Sequence, residues 1–265
     1  MEIGSLNVLT FTVDSHRVRM STADPHSQWF WGRHQIGEHH EDGVSQHWLS
    51  HVRPDSQVLD IGCHAGWYTC LTIVAARSAK VAAFEIDSRL LRLCRKNLRL
   101  NKANNAVLVK AAVTDVDRGT ALCRLEESPS ATASLAPRYG DSTGRIEPVS
   151  AITVDGWCER HCFAPSLVKL DVEGSEAQVL AGMTCTLRWR CPTLFLELHS
   201  DRLPMFGSTF TDLHETLKCL GYRLYEVQKV RSHDGRTSVR KIGRGSNLTS
   251  RNPMILGVPG RHQIP

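Results

Sequence analysis

"VLDIGCHAGWYTCLTIVAA", residues 58 to 76, is a short apolar run interrupted by Asp60, then Gly62 and Gly66 around three unusual residues, then a helix-like stretch. The run before the glycines has the length of a buried strand, and the stretch after Gly66 has the apolar content of a helix. Glycine serves where backbone must approach something closely or turn left-handed. What presses on Gly62 and Gly66 decides the reading: a ligand at the strand end, or a tight turn.

Moving outward, the strand signature recurs in "KVAAFEID" (80–87), "NAVLVKAAVTD" (105–115), "SLVKLDVEG" (166–174) and "TLFLELHS" (193–200). Between and after them lie helical stretches, "RLLRLCRKNLRLN" with Ser88 as its cap, "SEAQVLAGM", and "TFTDLHETLKCLG" ending on Gly221. Strands alternating with helices of this length specify an α/β fold, a mostly parallel sheet covered on both faces. Ahead of it, residues 7–13 and 17–21 read as a hairpin, followed by the aromatic patch Trp29–Phe30–Trp31 and an amphipathic helix over 38–51. Residues 117–165 read mainly as loops with a short β excursion. "YRLYEV" and "PMILGVP" are the last strands, separated by a basic Ser/Gly/Arg-rich loop, 228–252, expected to lie outside the core because it has little apolar surface to bury. The expected organisation is one domain over 1–265: an N-terminal hairpin and helix cap (1–50), a cofactor-binding core (51–227), and the basic loop with the last strand (228–265).

Composition sets limits. The 265 residues are 41% hydrophobic, enough for one large core, and the net charge of +5 permits an anionic partner without demanding one. No apolar segment reaches the roughly 18–20 residues that span a bilayer, and the N-terminus shows no basic-then-apolar leader pattern. The expectation is a soluble, cytoplasmic protein without a membrane partner. Nine cysteines without a CxxC pair read as buried thiols. "CERHC" (158–162) lacks a second cluster to complete a tetrahedral metal site, and "GEHHEDG" (37–43) reads as a solvated helix start. "NLT" at Asn247 is a chance glycosylation sequon.

In parallel sheets ligands bind at the carboxyl ends of the strands, where strand order reverses. Glu85 ends the strand after Asp60, and an acid there suits a ribose diol. The dinucleotide pattern G-x-G-x-x-G is absent. The spacing Asp60-x-Gly62-x-x-x-Gly66 resembles motif I of Rossmann-like methyltransferases that use S-adenosyl-L-methionine. "LVKLDVEGSEAQVLAGM" (167–183) then resembles the signature segment of the FkbM family, with "VLDIGCHAGWYT", "AAVTD", "TVDGW" and "LFLELH" in that family's order. The resemblance runs over about 38–227. It implies a seven-stranded Rossmann-like sheet with an antiparallel last strand, S-adenosyl-L-methionine as cofactor, and methyl transfer to a hydroxyl oxygen of a sugar or natural-product-like acceptor. It also implies cofactor contacts from Asp60, Gly62, His64, Gly66, Glu85, Ile86, Ala112 and Val113. Cys63-His64 and Ile86 depart from the family's usual Ala-Asn and Pro.

Catalytic candidates are Asp171, Glu173 and His199. Period-two alternation puts Lys169, Asp171 and Glu173 on one side, and Glu197 with His199 on the neighbouring strand end. His199 is expected as general base, since a neutral imidazole accepts a hydroxyl proton near pH 7, and Asp171 is expected to orient it or the substrate; a divalent metal held by Asp171, Glu197 and His199 is chemically possible, but no metal is expected. Two other function classes stay open: an RNA or protein methyltransferase, prompted by the basic loop, and a non-catalytic cofactor binder, prompted by Cys63-His64. Nucleic acid is the weaker partner, because the loop lacks interleaved aromatics.

Overall fold

A computed structural model describes residues 2–4, 7–32, 41–117, 119–126, 133–135, 144–228 and 238–260. The chain opens with an antiparallel sheet of β1 (Glu2–Gly4), β2 (Val8–Val13) and β3 (His16–Ser21), then α1 (Pro25–Gly32) and α2 (Asp42–His51). The α/β core begins with β4 (Gln57–Ile61), α3 (Trp67–Ala75), β5 (Lys80–Glu85), α4 (Ser88–Leu100) and β6 (Ala106–Lys110). Short strands β7 (Ala112–Val113), β8 (Ala121–Leu125), β9 (Ala133–Ser134), β10 (Arg145–Val149) and β11 (Ala151–Ile152) form the β excursion, followed by α5 (Val154–Arg160). The core resumes with β12 (Leu167–Leu170), α6 (Glu176–Ala181), α7 (Thr184–Trp189), β13 (Thr193–Glu197) and α8 (Phe210–Cys219). It closes with β14 (Tyr222–Gln228), β15 (Ser238–Lys241) and β16 (Met254–Pro259).

The main sheet runs β15-β14-β16-β13-β12-β4-β5-β6. From β6 to β13 all pairings are parallel, and β16 is antiparallel to both of its neighbours. The fold is the Rossmann-like α/β fold expected from the sequence, with its last strand antiparallel. The order reverses between β4 and β12, since the chain steps out to β5 and β6 before returning to β4's other edge.

Eight strands form this sheet, not seven. The extra one, β15, comes from the basic stretch expected to lie outside the core, and pairs with β14 from Gln228↔Ser238 to Tyr225↔Lys241. A buried carboxylate draws it in. Glu226, fully buried on β14, accepts from Arg240 at 2.6 Å and from the Thr249 backbone and hydroxyl at 2.6 Å each. Ile242 joins the core beside it. Residues 229–237 lie outside the described residues.

α3 shows why its sequence lacks an amphipathic stripe. Trp67 through Ile73 are all buried, because one side meets the sheet and the other meets the N-terminal cap. Phe11 and Trp31 stand 5.4 and 5.8 Å from the Trp67 ring, and the indoles of Trp67 and Trp48 donate to Ser45 and Thr72 at 2.9 Å. α4 has the opposite pattern: Leu90, Leu91, Cys94 and Leu98 face inward and its basic residues outward. Asp87, not Ser88, caps it, accepting from Arg89 N at 2.7 Å. Thr209 and Asp212 close a reciprocal capping box on α8. The aromatic patch at 29–31 belongs to α1. "CERHC" ends α5: His161 stacks on Trp157, Cys158 is buried, and Cys162 is exposed. All nine cysteines are free thiols.

Candidate active site

A cavity of about 330 Å³ opens across the carboxyl ends of β5, β4, β12 and β13, over the reversal of strand order. Of the residues singled out from sequence, Asp60, Gly62, His64, Glu85, Ile86, Ala112, Val113, Asp171, Glu173 and His199 line it, and Gly66 does not.

The two glycines answer to the protein itself. Both have φ +79°, a left-handed backbone. A Cβ on Gly62 would lie 1.7 Å from the carbonyl oxygen of Asp171, so glycine lets the β4–α3 turn lie against the β12–α6 turn. A Cβ on Gly66 would lie 2.4 Å from the Cys94 sulfur on α4. The pressure on this backbone is close packing of chain on chain.

Glu85 is buried and ties two turns together: it accepts from His64 N at 2.9 Å, Ile86 N at 2.8 Å and Asp87 N at 2.9 Å. Burial pushes its carboxyl up to about 7, against those donors. Asp60 accepts from the Thr69 amide at 3.1 Å and from its hydroxyl, and burial pushes it up to about 6, with Thr69 and Lys169 pulling down. Buried carboxyls with little cationic compensation suit a cationic ligand, whose charge would favour their ionised forms. Each keeps lone pairs beyond these bonds for a hydroxyl or ammonium. The cavity's size, the Asp60 and Glu85 carboxyls and the small apolar pair Ala112–Val113 therefore fit S-adenosyl-L-methionine. His64 turns its ring toward the cap instead, with Nε2 3.0 Å from Nε2 of His26 and its ring 4.7 Å from Phe30.

At the ends of β12 and β13 lies a second, charged cluster. Lys169, buried, reaches Asp171 at 3.3 Å and Glu197 at 3.7 Å, and its ammonium stands 5.3 Å from the centre of the Tyr68 ring. Burial opposes its charge, but Asp171 and Glu197 outweigh burial and hold it protonated. Asp171 stays below the usual carboxylate range despite burial, through Lys169 and His199, while burial and Asp171 push Glu197 well above it. His199 is 2% exposed; Nδ1 lies 2.7 Å from Glu176, and Nε2 lies 3.3 Å from Glu173 and 3.9 Å from Asp171. Burial works against its charge too, but the Glu176 bond and Asp171 dominate and lift it to about 9. A value of about 9 favours the protonated, donating ring near pH 7 and so weighs against the general-base role expected for His199.

Asp171, Glu173 and His199 bring their ligand atoms within 4.8 Å of one another, close enough to share a divalent cation. Arg202 already binds Glu173, and Lys169 already neutralises Asp171. Neither Asp171 nor Glu173 caps α6; Glu176 instead accepts from Gly174 N at 3.0 Å. Sequence reasoning passed over Glu41. It lies in the stretch taken for a solvated helix start, yet it is 8% exposed, lines the cavity, and accepts from the Tyr68 hydroxyl. No local signal marks it, because its partner is 27 residues away. His39 and His40 of that stretch lie outside the described residues.

Comparison with known proteins places the chain in a family. The family described as "Methyltransferase FkbM domain" matches residues 60–224. The 2-O-methyltransferase NoeI of Sinorhizobium fredii is 27% identical over 179 residues, covering 58% of this chain and 69% of that protein. A ribosomal protein methyltransferase of Acetivibrio thermocellus is 31% identical over 70 residues, 26% of this chain and only 21% of the relative's length. Among solved structures, an FkbM methyltransferase from Methylobacillus flagellatus overlays with a TM-score of 0.49 at 14% identity, over 89% of this chain and 55% of that one. The chain belongs to the FkbM methyltransferase family.

Proposed function

We propose that the protein transfers a methyl group to a hydroxyl oxygen of a sugar or sugar-like acceptor, with Asp171 taking the hydroxyl proton. The observation that carries this reading is the Lys169–Asp171–Glu197–His199 cluster at the ends of β12 and β13, on the cavity that Asp60 and Glu85 also line. When bound, the donor supplies a methyl carbon already activated by its sulfonium. The protein then has to orient the acceptor oxygen and receive its proton. Asp171 suits both tasks: it is ionised, and its side chain is 30% exposed toward the cavity while Lys169 behind it is 2% exposed. The Lys169 ammonium and the His199 imidazolium hold the carboxylate ionised and aimed. Glu173, held by Arg202 and His199, fixes the imidazolium. The 2-O-methyltransferase relative favours a hydroxyl acceptor.

Methyl-labelled donor, offered to a panel of mono- and oligosaccharides, tests this directly. Label on a carbohydrate hydroxyl is expected, and Asp171→Asn should lower the rate by ~10²–10⁴ while donor affinity holds. Label recovered only on amines, or an unchanged rate in the variant, would sink the proposal.

A further inference from the structure

The outer face of α4 and the exposed side of β3 carry charge of one sign. Residues 88–114 contain no Asp or Glu, and Arg92, Arg95, Lys96 and Arg99 on α4 are all exposed. β3 turns Val18 and Met20 inward and Arg17 and Arg19 outward. Asn97 of α4 and Asn101, which caps its end, bind the strand to the helix: Ser21 N donates to Asn97 and Arg19 N to Asn101, each at 2.8 Å, and the Asn101 amide returns to Arg19 O at 2.7 Å. Arg19 is thereby joined to the helical row, which extends ~10 Å from Arg92 to Arg99. Among the described residues, Arg19, Arg95, Lys96 and Arg99 form no ion pair. Neither β3 nor α4 itself exposes a large apolar side chain among the described residues.

We propose that the β3–α4 face binds the phosphate backbone of double-helical RNA. The exposed side chains of β3 and α4 are arginine-dominated, and neither element offers an apolar anchor. Guanidinium groups match phosphate oxygens bidentately, and duplex RNA is recognised largely by shape and backbone. Single strands are held mainly by stacking on aromatic side chains, which this face lacks. An anionic bilayer would meet two elements without an exposed large apolar side chain, whereas interfacial binding depends on buried apolar area. RNA is chosen over DNA on the reading above, because its backbone carries the sugar hydroxyl that such an enzyme methylates. The charged face also begins beside the cavity, where Leu90 of α4 is part of the lining.

The test is fluorescence anisotropy with a labelled 20-base-pair RNA duplex at 50–300 mM KCl, on the parent, on Arg95→Glu/Lys96→Glu/Arg99→Glu, and on the milder Arg95→Gln/Arg99→Gln. The parent should bind with a strong salt dependence. Removing about three phosphate contacts should weaken binding at least tenfold and flatten the log–log salt slope by about two to three. The milder variant should shift the same way to a lesser degree. No RNA binding by the parent at 50 mM KCl, equal binding by the variants, or tighter binding to duplex DNA or to phosphatidylcholine/phosphatidylglycerol vesicles would each overturn the proposal. Calorimetry with S-adenosyl-L-methionine on the same preparations separates the two readings: lost RNA binding with retained donor binding supports this one. A parent that binds RNA and methylates no sugar hydroxyl would undo the choice of RNA through its hydroxyl but leave the charged face standing.

Discussion

Gly62 and Gly66 share one backbone conformation but not one neighbour. Gly62 faces a backbone carbonyl, which cannot step aside, whereas Gly66 faces the end of the Cys94 side chain. Gly62→Ala should therefore destabilise far more than Gly66→Ala, whose cost starts from the roughly 1–2 kcal/mol of a left-handed non-glycine residue. Denaturant midpoints of the two variants check the order, and equal losses would mean that conformation alone matters. His199 makes a second residue-scale claim. Its folded pKa, about 9, lies above the ordinary 6.5, so its contribution is full below pH 6.5 and lost as pH rises through 9. The loss is on the order of 3 kcal/mol. Unfolding free energies at pH 6.5 and 9.5 should show this fall in the parent and a flatter profile in His199→Asn. A parallel fall in both proteins would show that another group carries it. Rate measurements across the same range should show no gain attributable to an imidazole base near pH 7.

Elements are joined here by buried carboxylates as much as by apolar contact. Glu85 holds the β4–α3 and β5–α4 turns through three backbone N–H groups. Glu85→Ala should thus lower both donor affinity and melting temperature, since unpaired buried donors cost about 1–3 kcal/mol. Donor titration and thermal unfolding of that variant separate the two effects; lost affinity with unchanged stability would assign Glu85 to the ligand alone. Glu226 does the same for β14 and β15. Removing its negative charge in Glu226→Gln weakens its hydrogen bonds from Arg240 and Thr249, and because the Arg240 side chain is 39% exposed the loss should be about 1–3 kcal/mol. A melting temperature within a degree of the parent would restore the picture of a dispensable loop. That picture came from composition: Ser, Gly and Arg offer little to bury, and the one acid that recruits them lies on another strand.

At the scale of the whole molecule, the N-terminal cap is built into the core. Leu9, Phe11, Val18, Met20 and Trp31 belong to the same buried cluster as α3 and one face of the sheet. The cap also supplies Trp29, Phe30 and Glu41 to the cavity. Deleting residues 1–50 should expose the apolar outer side of α3 and leave a protein that aggregates or unfolds, with donor binding lost. Size-exclusion chromatography and calorimetry on the truncated chain decide this; a monomeric, donor-binding remainder would make the cap an accessory.

Much was legible along the chain because it is written locally. Strand and helix periods, the Asp60–Gly66 spacing and the 167–183 segment each sit within a few turns of chain, where the side-chain pattern alone selects the element. The acid at Glu85 and the pair Asp171 and His199 could be placed at strand ends by counting residues, since a parallel sheet brings those ends together. Other features depended on which distant segments meet. Glu41 reached the site through Tyr68, the glycines were explained by Asp171 and Cys94, β15 was recruited by Glu226, and Arg19 joined the α4 row through Asn101. The protonation of His199 belongs with these, because it is set by the summed field of Glu176, Asp171 and Glu197 around a ring withdrawn from water. Sequence by itself determined the alternating strands and helices of the core and the ends at which they would present their chemistry. Only the tertiary structure decided which charges stand unscreened beside one another, because close approach and exclusion of water are properties of the packed chain.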